Sequence, residues 1–172
     1  MLYTFGKLFF GICKLRLKPQ DVPPLTELLL LCLLAYAGSC YFLSVTTQSA
    51  IIALFSALVN TASLSFLTYM LVALWRVPER WLQVTTALAG TGVIFNLLAL
   101  PLYLLLANLP EGHSFLLLVF LLVIILVVWN ISVMAHIMRH ALEASFAFGI
   151  LLSLLYVLLI TYILSHFQPA VV

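Results

Sequence analysis

Five long apolar segments separated by short polar breaks dominate the order of residues along this chain. A helix needs about 20 mainly apolar residues to cross the hydrocarbon core of a bilayer. Five segments reach that length: residues 25–44, 50–74, 82–106, 115–135 and 144–165. None of them alternates with a period of two, as the strands of a membrane β-barrel do. The pattern predicts an all-α, polytopic integral membrane protein with five transmembrane helices.

Each break between these segments has a chemical cause. Paired prolines, polar turns and charged residues interrupt the apolar pattern, at Pro23 and Pro24 and at residues 46–49, 76–80, 108–114 and 139–143. The last break is the weakest, because residues 134–147 also fit one uninterrupted helix. Because the connections are short, we expect consecutive helices to be antiparallel neighbours in one bundle.

Composition excludes most other classes of protein. Of the 172 residues, 66% are hydrophobic and 7% are charged, and the mean hydropathy is +1.28. Soluble domains carry about 25% charged residues, so too few polar side chains remain to coat a large domain outside the membrane. The expected partners are the lipid bilayer and either another membrane protein or a second copy of this chain. We expect no nucleic-acid partner.

The basic residues indicate an orientation in the membrane. The Lys and Arg residues lie in three places: before the first predicted span, between spans two and three, and between spans four and five. None lies in the other two connections or in the tail after residue 165. With five spans, all seven basic residues fall on one face of the membrane. The positive-inside rule then predicts a cytoplasmic N-terminus and a C-terminus outside the cytoplasm.

Residues 1–24 form a cytoplasmic segment with the pattern of an interfacial helix. Apolar residues occur at helical spacing on one side and basic residues on another, which is typical of a helix that lies in the headgroup layer. The candidate contacts to anionic lipid are Lys7, Lys14, Arg16 and Lys18. The segment serves either as a topology anchor or as a dedicated lipid- or partner-binding element.

No charged residue lies deep in a predicted span, which argues against ion-coupled pumps and voltage sensors. Polar and small residues do enter the bilayer, and the candidates are Asn60, Asn96, Asn130 and Gly92. These residues either pack helices together, with amides that bond across helices, or line a polar cavity for a substrate.

Two further residues affect helix shape and packing. Pro101 lies inside span three, where a proline is expected to kink the helix and where a hinge is the alternative interpretation. Gly149 belongs to a stripe of small residues at four-residue spacing in span five, which is typical of close helix packing. The full stripe is Ala141, Ser145, Gly149 and Ser153.

The sequence contains no strong catalytic or metal-binding motif. His136 and His140 share a helix face and could ligate a metal with Glu143, but no second cluster completes a site with three or four ligands. The three cysteines lie in the N-terminal segment and in span one, so we expect no disulfide framework. We therefore expect no catalytic residues, no cofactor and no metal.

Residues 79–92 (ERWLQVTTALAGTG) and 97–102 (LLALPL) resemble the third helix of bacterial members of the Yip1 family of small membrane proteins. The five-span layout with a short outer C-terminal tail is similar as well. The resemblance implies a compact bacterial form in the inner membrane. It does not imply the vesicle-traffic and small-GTPase role of eukaryotic members, because those proteins have a longer cytosolic N-terminal region.

Two functions are compatible with these patterns. The first is a non-catalytic scaffold or accessory subunit, favoured by the packing-type polar faces and by the lack of an ionisable group in the bilayer core. The alternative is a transporter or channel subunit for a neutral or amphipathic solute. It rests on the three asparagines and Pro101.

Overall fold

The computed structural model of the protein describes residues 2–110 and 114–165. These residues form six α-helices: α1 (Leu2–Cys13), α2 (Thr26–Ser44), α3 (Ala50–Leu74), α4 (Trp81–Asn108), α5 (Ser114–Leu142) and α6 (Phe146–Ser165). Short 3₁₀ turns at Pro19–Asp21 and Pro78–Arg80 precede α2 and α4, and the described residues contain no β-strand. Helices α2 to α6 are long and apolar enough to span a membrane. The predicted all-α membrane protein with five spans is confirmed.

The junction of the last two helices differs from the predicted one. Helix α5 continues past residue 135 to Leu142, so Arg139 and His140 lie in its last turn rather than in a loop. The helix ends where Glu143 adopts a φ of 54°, and α6 begins at Phe146. The predicted stripe of small residues is therefore divided, because its first member belongs to α5 and only its last two members belong to α6.

The remaining bounds lie close to the prediction, and α3 matches it from end to end. Helix α4 extends slightly beyond the predicted span at both ends and continues through Pro101 to Asn108. Residues 111–113, in the connection between α4 and α5, and the tail after Ser165 lie outside the described residues, so the predictions for those segments stay predictions.

Helix α4 lies at the centre of the bundle. It contacts α1, α2, α3 and α5, while α6 packs against α5 and α3. Its residues from Val84 to Thr91 are all buried. Helices α5 and α6 approach most closely at Gly149, where an added Cβ atom would collide with the carbonyl oxygen of Ala135. Small residues therefore permit backbone contact between these two spans.

The N-terminal helix α1 is packed into the bundle. Ile12 and Cys13 are fully buried, and the indole nitrogen of Trp129 in α5 donates a hydrogen bond of 2.9 Å to the Cys13 carbonyl oxygen. Lys7 in α1 and Lys14, which directly follows the helix, are exposed. Helix α1 therefore buries its apolar side against α4 and α5 while these lysines stay accessible.

Three connections meet at one end of the bundle. Gln83 donates a 2.9 Å hydrogen bond from its amide to the Val22 carbonyl oxygen, which joins the start of α4 to the linker before α2. Arg80 forms an ion pair of 2.6 Å with Glu143, which joins the α3–α4 turn to the α5–α6 turn. We call this end, which carries residues 14–25, 75–80 and 139–145, the basic end.

Candidate functional site

The transmembrane helices line a partly open interhelical cavity of about 250 Å³. Its walls come from α2, α4, α5 and α6, with one leucine from α3. Most of the lining side chains are apolar, and the polar ones are Tyr36, Thr91, Asn96, Tyr103, Asn130 and Tyr156. No Asp, Glu, Lys or Arg is among the residues that line it. The cavity is therefore a neutral chamber with a few hydrogen-bonding groups.

A cluster of polar groups joins three helices beside this cavity. The side-chain nitrogen of Asn96 in α4 lies 3.0 Å from the Ser39 hydroxyl and 3.3 Å from the Cys40 sulfur, both in α2. The amide of Asn60 in α3 donates to the same sulfur at 3.5 Å. We call Ser39, Cys40, Asn60 and Asn96 the amide cluster. Its hydrogen bonds hold α2, α3 and α4 together in a region without water.

Two polar side chains of the cavity do not form hydrogen bonds that join helices among the described residues. The hydroxyl oxygen of Tyr156 in α6 is buried and lies near the side chain of Tyr36, but no described residue meets the distance and angle of a hydrogen bond to it. Asn130 in α5 lines the same cavity, and its side chain makes no hydrogen bond within the described part of the chain. Most buried polar groups are hydrogen-bonded. These two side chains therefore leave hydrogen-bonding capacity directed at the cavity.

Gly92 fixes the position of one cavity wall. A Cβ atom added to Gly92 would lie 2.5 Å from the ring of Tyr36, so the tyrosine of α2 packs directly on the backbone of α4. Both residues line the cavity. A side chain at position 92 would push Tyr36 out of this position.

The structure brings only some of the predicted residues together. Asn96, Asn130 and Gly92 line the cavity, and Asn60 joins it indirectly through the amide cluster. Pro101 is exposed on α4 and does not line the cavity. Gly149 lies at the α5–α6 contact instead. The predicted residues therefore do not form one site: some line the cavity, Asn60 belongs to the amide cluster, and Gly149 lies where two helices pack.

His136 and His140 contact each other and the linker that follows α1. The His136 and His140 rings stack edge to face with their centroids 4.6 Å apart, and Nε2 of His136 lies 3.0 Å from the Leu17 carbonyl oxygen. In the described residues, no group of three or more His, Cys, Asp or Glu side chains could hold a metal ion. His136 therefore joins α5 to the linker that follows α1.

Sequence reasoning did not single out Tyr36, Tyr156 or the thiol of Cys40 as site residues. The available signal was that both tyrosines lie away from the ends of apolar helices, whereas tyrosines of membrane proteins concentrate at the interfaces. The cavity offers hydrogen-bonding groups and an apolar surface, and no Asp, Glu, Lys or Arg is among its lining residues.

In comparisons with known proteins, no family model, no curated protein and no solved structure matches the chain.

Proposed function

We propose that this chain is a non-catalytic membrane protein that binds a neutral amphipathic molecule in the interhelical cavity, as a transporter or channel subunit for such a solute does. The observation that carries the proposal is the buried hydroxyl of Tyr156, which lines the cavity without a hydrogen-bond partner among the described residues. Leaving a buried hydroxyl unpaired costs about 1–3 kcal/mol. A ligand that bonds to it removes this cost.

The lining supports a neutral ligand with an apolar body. A charged ligand would need a counter-ion, because burying an unpaired charge in an apolar medium is far more costly than burying a hydroxyl. The volume of about 250 Å³ lies just below the range of about 300–1,000 Å³ typical of sites for drug-sized ligands. A hydroxyl or ester group beside Asn130 and Tyr156, followed by part of an alkyl chain, fits both the volume and the lining.

Photo-crosslinking tests this proposal. The protein is reconstituted in phosphatidylcholine nanodiscs with a long-chain alcohol that carries a diazirine in its alkyl chain, and labelled peptides are located by mass spectrometry. We expect label on the cavity faces of α4 and α5, and competition by the unmodified alcohol. Ala99→Leu fills part of the cavity, because Ala99 is buried and lines it, and should abolish most of this labelling.

Two tyrosine variants provide the matched comparison. Tyr156→Phe removes the cavity hydroxyl and should weaken competition by the alcohol about fivefold to tenfold, the value of one hydrogen bond. Tyr41→Phe removes a hydroxyl that does not line the cavity and should leave competition unchanged. Equal labelling of wild type and Ala99→Leu would contradict the proposal and favour the scaffold or accessory role instead.

The position of the protein in the cell is part of the same proposal. The concentration of Lys and Arg at the basic end supports a cytoplasmic N-terminus and an outer C-terminus, and the Yip1-like segments support the bacterial inner membrane. A phosphatase reporter that works only outside the cytoplasm should be active after Val172 and inactive after Pro78. The opposite pattern would overturn this orientation.

A further inference from the structure

A second cleft opens at the basic end, away from the interhelical cavity. It measures about 590 Å³ and lies between the 3₁₀ turn at Pro19–Asp21 and the junction of α5 with α6. Its lining is mainly polar, unlike that of the cavity, and includes Lys18, Gln20, Asp21, Arg139, His140 and Glu143. The two sites share no residue, so the cleft can be tested independently of the proposed function.

The walls of the cleft are fixed by hydrogen bonds between distant parts of the chain. The Gln20 amide donates a bond of 2.6 Å to the His140 carbonyl oxygen at the end of α5. Gln83 of α4 in turn donates to the carbonyl oxygen of Gln20 at 3.2 Å. The linker before α2 is thereby tied to both helices, and the two sides of the cleft are held at a set separation before any ligand binds.

Two cations and one carboxylate without an ion pair remain in the cleft. Glu143 accepts a hydrogen bond of 2.6 Å from Arg80, which compensates its charge. Asp21 accepts a 2.8 Å hydrogen bond from the backbone N–H of Lys18, which orients its carboxylate but does not neutralise it. The Lys18 ammonium and the Arg139 guanidinium form no ion pair among the described residues. Two cations on facing sides of one cleft form a suitable site for a phosphate anion.

We propose that this cleft binds the phosphate group of an anionic phospholipid from the leaflet at the basic end. The position along the bundle supports a lipid source, because Arg139 is the first charged residue after a long apolar stretch of α5 and lies in the last turn of that span. The exposed ring of Phe146 at the start of α6 follows the cleft in the sequence and offers an apolar surface for an acyl chain.

A structural role for these cations is the competing explanation. Arg139 lies in the last turn of α5, where a positive charge interacts favourably with the helix dipole. That role stabilises the protein equally in every lipid, whereas a phosphate site stabilises it only when the anionic lipid is present. The dependence on lipid composition therefore separates the two roles.

The test compares the loss of cleft cations with the loss of a cation elsewhere at the same end of the bundle. Lys18→Gln with Arg139→Gln removes both cleft cations. Arg139→Gln alone and the control variant Arg76→Gln form a charge-matched pair, because Arg76 does not line the cleft. Each protein is placed in nanodiscs of phosphatidylcholine alone or with phosphatidylglycerol. The measurements are the shift in Tm and the number of phosphatidylglycerol molecules retained in native mass spectrometry.

We expect wild type and the control variant to gain stability from phosphatidylglycerol and to retain one molecule of it. The cleft variant should bind this lipid at least about tenfold more weakly, as expected for the loss of two basic contacts. Equal losses in Arg139→Gln and Arg76→Gln would overturn the proposal, because they indicate only a general attraction to the surface. Equal shifts in wild type and in all variants would overturn it as well.

A comparison with soluble anions and a single variant complete the test. Inorganic phosphate and glycerol phosphate are added to protein in a nonionic detergent, and stabilisation by these soluble anions equal to that by the lipid would overturn the lipid assignment. If the double cleft variant does not fold, Lys18→Gln alone is used, because Lys18 lies outside the α-helices and its side chain makes no hydrogen bond among the described residues. It should still weaken retention of phosphatidylglycerol.

Discussion

The ring of Phe9 in α1 lies directly on Gly90 of α4. A Cβ atom added to Gly90 would come within 2.5 to 2.7 Å of three carbon atoms of that ring. The absence of a side chain at position 90 therefore creates the surface on which α1 packs. This contact and the hydrogen bond from Trp129 to the Cys13 carbonyl hold the N-terminal helix in the bundle.

Phe9→Ala should release α1 from α4, because truncation of a buried phenylalanine costs about 3–5 kcal/mol. The thiol of Cys13 reports the release. Burial raises the pKa of Cys13 to about 11, so near pH 7.5 the thiol is almost entirely protonated and reacts slowly with maleimide. In a Cys32→Ser, Cys40→Ser background, we expect Phe9→Ala to increase the labelling rate at least about tenfold.

Phe10→Ala is the control for this measurement. Phe10 is the next residue on α1 but is 44% exposed, so its truncation should leave the labelling rate of Cys13 within about twofold of wild type. Similar acceleration in both variants would show that the contact with Gly90 does not hold α1 in place.

A glycine pair tests the α5–α6 contact. Gly149→Ala places a methyl group against the Ala135 carbonyl oxygen, and because a backbone atom cannot rotate away, the helices must separate. We expect a loss of about 1–3 kcal/mol in the free energy of unfolding, measured in detergent by denaturant titration. Gly38→Ala is the matched control, since a Cβ atom there meets nothing within 4 Å and should not destabilise the protein.

The amide cluster gives a prediction for stability. Asn96→Leu removes both bonds from α4 to α2 and should reduce the free energy of unfolding by about 0.6–2 kcal/mol. Thr161→Val removes a hydroxyl that bonds only to the Val157 carbonyl of its own helix and should change it by less than about 0.5 kcal/mol. Equal effects of the two substitutions would contradict the role of the cluster in joining helices.

The helices were more predictable than the site. Helix α3 matches its predicted span because polar or charged residues limit the apolar pattern at both ends. The end of α5 did not follow from the sequence, because Arg139 and His140 are compatible with a helix and the chain turns only at Glu143. Hydropathy measures how apolar a segment is, and it does not register where a helical backbone stops.

The cavity was predictable only in part. Asn96 and Asn130 were identified because amides are rare in apolar spans, and both line the cavity. Tyr36 and Tyr156 were not identified, because their mid-helix positions are unusual for tyrosines of membrane proteins but do not by themselves show that the two side chains meet at one cavity. Their convergence depends on how α2 and α6 rotate against α4. That rotation is set by contacts such as the one between Gly92 and Tyr36.

A final prediction concerns the end of α3. Arg76 follows this helix with a φ of 59°, and the N–H of Val77 bonds to the Val72 carbonyl at 2.9 Å, which is the pattern of a helix end that glycine normally provides. A left-handed conformation costs a residue with a Cβ atom about 1–2 kcal/mol. Arg76→Gly should therefore stabilise the protein by up to about 1 kcal/mol.

Arg76→Ala separates backbone strain from the loss of the charge. It also removes the guanidinium but keeps the Cβ atom, so it should show none of the gain. The measurement is the free energy of unfolding of the three proteins in the same detergent. A gain in both variants would assign the effect to relief of charge repulsion at the basic end, and no gain in Arg76→Gly would show that the left-handed conformation stores no recoverable strain.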